Sequence, residues 1–171
     1  MSENSEDWWS MKSILLVDDE TEICAELART LRRFRFHVEA AHSLEAALRS
    51  IRRAQFDAIL VEFNLRSERG AHPTTGNGVR LVRQLRAEQA SVPVLMLTAM
   101  EGEPYKTASL NAGADHFIPK TAGILSLVSG LRAHLRRHDR DLGKGSVKVP
   151  GRKISGPHKA KDVRQTVKAA R

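Results

Sequence analysis

The chain has 171 residues, with 28 Lys and Arg against 20 Asp and Glu, a formal net charge of +8 and a single cysteine. One cysteine excludes an internal disulfide and suits a reducing, cytoplasmic setting; with no long apolar segment or secretory leader, neither export nor a membrane span is expected. The length suits one domain large enough to bury a real core, plus an appendage.

Residues 1–11 read as an N-terminal extension, in which the adjacent indoles of Trp8 and Trp9 invite docking against something apolar. The first strand signal is Ser13-Ile14-Leu15-Leu16-Val17, which stops at Asp18-Asp19. A helix follows, with Ile23, Leu27, Leu31 and Phe34 at helical spacing and Asp19 or Thr21 as its cap. Cys24 on that helix reads as packing. His37-Val38-Glu39-Ala40-Ala41 is a second strand, and Ser43 caps a helix carrying Leu44, Ala47, Leu48 and Ile51. Ala58-Ile59-Leu60-Val61-Glu62-Phe63 is a third strand, followed by a polar loop over residues 66–77 and a helix marked by Val79, Val82 and Leu85. Val94-Leu95-Met96-Leu97-Thr98, a helix over residues 104–112, His116-Phe117-Ile118-Pro119 and a helix carrying Leu127, Val128, Leu131 and Leu135 complete the pattern.

Short apolar runs rich in β-branched residues suit strands buried on both faces. Strands alternating with helices give right-handed βαβ units, so the fold class is α/β, a doubly wound five-stranded parallel sheet with helices on both faces. Ligands of such sheets bind at the carboxyl ends of the strands. Asp18, Asp19, Glu62, Thr98 and Lys120 all fall there. A lone acidic pair is as readily a helix cap and a lone lysine a solvated charge; the four positions together specify a site for a cation and a phosphoryl group.

In order and at the expected spacing, Leu16-Val17-Asp18-Asp19-Glu20, Asp57-Ala58-Ile59-Leu60-Val61-Glu62-Phe63-Asn64-Leu65, Leu97-Thr98-Ala99 and Gly113-Ala114-Asp115-His116-Phe117-Ile118-Pro119-Lys120 resemble the receiver domain of bacterial two-component response regulators. Residues 12–137 are similar to the single-domain chemotaxis regulator, a flavodoxin-like fold. The resemblance implies Mg²⁺ held by Asp19, the acceptor carboxylate and the Asn64 carbonyl, with Asp18 acting through water. Such hard oxygen ligands suit Mg²⁺. It also implies that Lys120 and Thr98 contact the phosphoryl group, and that Thr98 and the switch aromatic Phe117 couple the pocket to an output surface on the fourth helix, fifth strand and fifth helix. Implied partners are a histidine kinase or a downstream signalling protein; a homodimer is a further option that the sequence leaves open.

Three departures bear on function. Glu62 stands where the family carries the phosphorylated aspartate. Its extra methylene carries the carboxylate about 1.5 Å outward, and a misplacement near 1 Å can cost on the order of a hundredfold in an in-line attack. Phosphorylation at Glu62 is therefore not expected; a pseudo-receiver biased toward an active-like state, one locked by a Glu62–Lys120 ion pair, and drift after loss of a partner kinase all remain open. So does the metal, since Glu62 either completes a Mg²⁺ shell or pairs with Lys120 and leaves the ion out; without a metal, clustered carboxylates push at least one pKa upward. The loop over residues 66–77 is longer than the family's, reading as a lid or a tolerated insertion, and its His72 as a solvated side chain rather than a ligand. Thr121 replaces the proline that usually follows the lysine, so a trans link and an altered loop are expected.

Residues 136–171 hold twelve Lys or Arg against three acids, while the preceding 135 residues are close to neutral. Residues 138–171 read as a basic, mostly disordered tail, its last stretch (Ala160, Val163, Val167, Ala170) able to form a basic amphipathic helix on a partner. Two other functions stay in view: a nucleic-acid-binding regulator that uses this tail, with the receiver as dimerisation module, and, less well supported, a Mg²⁺-dependent phosphatase.

Overall fold

The computed structural model describes residues 11–66, 76–88 and 90–144. Trp8 and Trp9, residues 67–75 of the long loop and residues 145–171 of the basic tail lie outside the described residues. Five strands, β1 (Ser13–Val17), β2 (His37–Ala41), β3 (Ala58–Val61), β4 (Val94–Thr98) and β5 (His116–Pro119), alternate with α1 (Thr21–Arg33), α2 (Leu44–Arg53), α3 (Asn77–Ala87), α4 (Glu103–Asn111) and α5 (Ile124–Lys144). The sheet is wholly parallel, in the order β2-β1-β3-β4-β5.

Strand periodicity sorts the core into two layers. Ile14, Leu16, Leu60, Leu95, Leu97 and Ile118 pack with Cys24, Ala28 and Leu31 of α1 and Leu127, Val128, Leu131 and Leu135 of α5. On the other face Leu15, Val17, Ile59, Val61 and Met96 pack with Leu44 and Ala47 of α2 and Val79, Leu81, Val82 and Leu85 of α3. Helices on both faces explain why the central strands β1, β3 and β4 read as continuous apolar runs. The chain leaves β1 first toward β2 and then toward β3, so a crevice opens between the carboxyl ends of β1 and β3.

Three local expectations are corrected. The buried face of α1 is Cys24, Ala28 and Leu31, while Ile23 is 43% exposed; the small side chains let the helix backbone approach the sheet, and Leu27 and Phe34 pack only at its edge. The cap of α1 is Glu20, with no side-chain capping bond; Asp18 Oδ1 instead accepts from the Glu20 N–H at 2.9 Å. The fifth helix runs to Lys144, seven residues beyond the expected domain end at 137. Its late turns are held to the sheet by Asp139, whose Oδ1 lies 2.9 Å from Lys12 Nζ, a lysine that also pairs with Asp57. Ser43 caps α2 as expected, its Oγ accepting from Ala46 N–H at 3.0 Å. Among the described residues, no helix is long and apolar enough to cross a membrane.

Candidate functional site

Parallel pairing sets the site. Glu62 N–H donates to the Val17 carbonyl at 2.9 Å and Asp18 N–H to the Ala41 carbonyl at 3.0 Å, extending the ladder just past the strand ends. The Asp18 and Glu62 side chains then emerge side by side at the crevice. Thr98 closes β4, and Lys120 follows β5 directly, in a short 3₁₀ turn over Lys120–Ala122. Gly78 at the start of α3 is required here, because a Cβ would stand 2.0 Å from the Glu62 carbonyl oxygen. Its N–H instead donates to the Phe63 carbonyl at 3.0 Å, pinning α3 beneath the acidic loop.

Asp18, Glu62 and Thr98 are all buried. Lys120 reaches across them, its Nζ 2.7 Å from Asp18 Oδ2, 2.9 Å from Glu62 Oε2 and 3.3 Å from Glu20 Oε1. The approach to Glu62 Oε2 lies within ion-pair range but out of line for a hydrogen bond. The other Glu62 oxygen is heavily bonded: the Thr98 hydroxyl donates to Oε1 in a short hydrogen bond, as do the N–H groups of Phe63 at 2.6 Å and Asn64 at 3.3 Å. Thr98 Oγ1 in turn accepts from Met100 N–H at 3.0 Å.

Burial raises the Asp18 pKa above its ordinary value, and the neighbouring Glu62 charge adds to this, while Lys120 and the Glu20 N–H oppose it. Burial alone would lower the Lys120 pKa, but the contact with Asp18 and the negative charges of Asp18 and Glu62 outweigh it and hold the ammonium protonated. Beneath the site, burial and then the charge of Asp18 push the Cys24 thiol up to about 11. Burial, far more than the neighbouring carboxylate, is the cause of the Asp18 shift.

Asp18, Glu62, Thr98 and Lys120 are therefore brought together. Asp19 turns elsewhere, its Oδ2 lying 3.0 Å from Arg66 Nε. Asn64 takes part through its backbone N–H, while its side-chain oxygen accepts from Gly76 N–H at 3.3 Å across the loop. Phe117 is half-buried and outside the pocket, packed on the core layer beneath α3 and α4. Sequence reasoning missed three participants. Glu20 pairs with Lys120, Arg66 with Asp19, and His42 Nδ1 lies 3.0 Å from the Asp18 carbonyl oxygen. Glu20 adjoins the acidic pair and His42 follows β2 at the same sheet edge, so position alone was a signal for both; Arg66, opening an irregular loop, offered none.

The residues do not fit the Mg²⁺ that the acidic pattern suggests. Mg²⁺ needs near-octahedral oxygen donors at about 2.0–2.1 Å. Here Asp18 Oδ1 and Oδ2 are taken by Glu20 N–H and Lys120, Asp19 Oδ2 by Arg66, and both Glu62 oxygens by Thr98, backbone N–H groups and Lys120. Among the described residues, no three Asp, Glu, His or Cys side chains converge in a metal-holding group.

Comparison with known proteins supplies the context. Residues 14–132 match the family model of the response regulator receiver domain. The chain is 33% identical over 153 residues to the transcriptional regulatory protein PrrA of Mycobacterium leprae, covering 84% of this chain and 62% of PrrA. It is 34% identical over 131 residues to the sensory transduction protein RegX3 of Mycobacterium tuberculosis, covering 77% of this chain and 54% of RegX3. It thus spans little more than half the length of these relatives. A CheY-like receiver domain protein from Methanospirillum hungatei superposes with a TM-score of 0.67 at 26% identity, over 77% of this chain and 99% of that one. The BeF3-activated receiver domain of Klebsiella pneumoniae RstA does so with 0.65 at 28% identity, over 73% and 99%.

Proposed function

The chain belongs to the response regulator receiver domain family of two-component signalling, and from that premise we propose that it signals through protein contacts in a state set by Glu62 rather than by aspartyl phosphate. The observation that carries this is the pair of contacts made by one carboxylate. Thr98 donates to Glu62 Oε1, and Lys120 sits 2.9 Å from Oε2. A hydroxyl donor and an ammonium are what a phosphoryl group at this place would engage. The longer glutamate arm delivers carboxylate oxygens to both. It carries one negative charge where a phosphoryl group adds about −1.5 to −2, so the imitation is partial in charge and closer in reach.

The route to the surface runs from Thr98 through Met100 N–H into the loop before α4. The output face is then α4, β5 and α5, with Phe117 packed inward against the core. Its partners are a downstream signalling protein or a histidine kinase that docks without transferring phosphate.

Intact-mass measurement after incubation with a small phosphodonor and Mg²⁺ tests this. No phosphate adduct is expected on the native protein, and an adduct there refutes the proposal. Glu62→Asp run in parallel tells whether Glu62 alone silences the chemistry (adduct on the variant) or the rest of the pocket contributes (no adduct).

A second reading is favoured by the tail charge and by the names of the relatives, which are transcriptional and sensory regulators longer than this chain. In it, the basic residues beyond 144 bind nucleic acid. Affinity should then fall linearly in log–log form with salt, each neutralised phosphate contributing a slope of about −0.9 on duplex DNA, and removal of residues 145–171 should abolish it.

A further inference from the structure

Resting on that reading of the pocket, we infer that Lys120 and Arg66 are built-in counter-ions that take the place of a divalent cation, so that this receiver's pocket neither needs nor admits Mg²⁺. Four carboxylates lie at this end of the sheet: Asp18 and Glu62 side by side in the crevice, Glu20 beside Lys120, and Asp19 turned toward Arg66. Left alone they would repel one another or draw in a cation. Instead each lies within ion-pair distance of a side-chain cation. Lys120 bridges Asp18, Glu62 and Glu20 from a nearly buried position, its side chain 16% exposed. Arg66 covers Asp19, whose side chain is 10% exposed.

Arg66 is placed for this by its backbone. Its carbonyl accepts from Leu44 N–H at 3.2 Å, tying the start of the long loop to the first turn of α2, which Ser43 fixes by its cap. The guanidinium then reaches Asp19, its Nε 3.0 Å from Oδ2. A divalent ion entering between Asp18, Asp19 and Glu62 would have to detach both cations or lie beside them. In a water-like dielectric, a unit charge about 5 Å from a doubly charged ion changes its affinity on the order of tenfold. Lys120 works in drier surroundings and counts for more. The two cations differ in kind: Lys120 neutralises buried charge, whereas Arg66, 71% exposed, is a removable cover.

The experiment is a Mn²⁺ titration of the full-length protein, with free ion counted by electron paramagnetic resonance. Amide spectra report which resonances broaden. The native protein is expected to show no saturable site tighter than roughly 1 mM, a weak site for a divalent cation. Arg66→Ala, on the surface and expected to fold normally, should bind Mn²⁺ about tenfold more tightly, with broadening centred on Asp19, Glu20 and Asn64. Arg66→Lys, which keeps the charge, should behave like the native protein. Saturable binding by the native protein with that same broadening overturns the inference. Arg66→Ala binding no better than native does so too. The inference and the phosphate-independent reading fail separately: a native protein that binds Mn²⁺ yet takes up no phosphate loses the first and keeps the second.

Discussion

Lys120→Met keeps the apolar stem of the side chain and removes only its charge, so it isolates the ammonium's contribution. In the structure that ammonium lies 2.7 Å from Asp18 and 2.9 Å from Glu62, both buried. Removing one partner of a buried ion cluster costs about 3–5 kcal/mol, because uncompensated charge is left behind. With Lys120 itself 16% exposed, the lower end applies. For a folded unit of this size, about 3 kcal/mol corresponds to a Tm lower by roughly 10 °C. The pH dependence follows from Asp18. Its folded pKa lies above the ordinary 3.8, so its protonated form stabilises the fold below 3.8, and that contribution is lost as pH rises through the folded value. Without Lys120 the folded value climbs further, and the loss extends toward neutrality. The deficit of Lys120→Met should therefore be largest at pH 7 and shrink on acidification. Thermal melts by circular dichroism at several pH values measure this. Adding Asp18→Asn and Glu62→Gln to Lys120→Met should restore much of the loss, since the stranded charges are gone. A Tm within about 2 °C of native at pH 7, or a deficit independent of pH, would refute the picture of a buried, lysine-compensated pocket.

Thr98→Val removes the hydroxyl donor from a fully buried site and should cost about 1–3 kcal/mol in urea unfolding, with amide shifts spreading through Met100 into α4; shifts confined to residues next to position 98 would argue against coupling through that bond. Gly78→Ala forces a methyl group to within 2.0 Å of the Glu62 carbonyl, so a cost of at least about 1–3 kcal/mol is expected in thermal melts. His134 is held below the ordinary 6.5 by burial and by His116 beside it, 5.2 Å between ring centroids. Its neutral form is thus the one the fold favours: that stability is present above 6.5 and lost as pH falls through the folded value. Proton NMR titration of His134 should give a midpoint under 6.5, and His134→Gln should flatten stability loss on that acid limb.

Most of the architecture was legible because parallel sheets carry a strong local code. Strands buried on both faces read as short unbroken apolar runs, as β1, β3 and β4 do, and the edge strands β2 and β5 were legible from weaker, interrupted runs whose ends match the strand ends. The convergence of Asp18, Glu62, Thr98 and Lys120 was legible for a related reason: in a parallel sheet every strand's carboxyl end lies at one edge, so chain position already implies proximity. Side-chain size misled at α1, where hydrophobicity favours Ile23 while closeness to the sheet favours Cys24 and Ala28. Charge misled at α5, where residues 138–144 looked like the start of a tail. Arg and Lys are good helix formers, and the long-range Lys12–Asp139 pair secures the extra turns. The Arg66–Asp19 pair left no trace in the sequence, since it joins residues 47 positions apart and one of them lies in an irregular loop.

The proposed loss of phosphate chemistry at Glu62 does not by itself explain why Asp18 keeps its charge in this pocket. A site that had merely lost its phosphate chemistry would gain stability by shedding Asp18, whose burial costs free energy that Lys120 must offset. The charge remains useful if it holds Lys120 in place, because Lys120 fixes the outer oxygen of Glu62 while the Phe63 and Asn64 N–H groups hold the oxygen that meets Thr98. Asp18 then acts at one remove: it anchors the ammonium, the ammonium orients Glu62, and Glu62 holds the threonine that bonds into the loop before α4. Asp18→Asn separates the two views. If the aspartate is a positioning residue, Lys120 loosens and the Thr98 and Met100 amides shift together, while stability changes little. If it is a remnant, stability rises and those amides stay where they are.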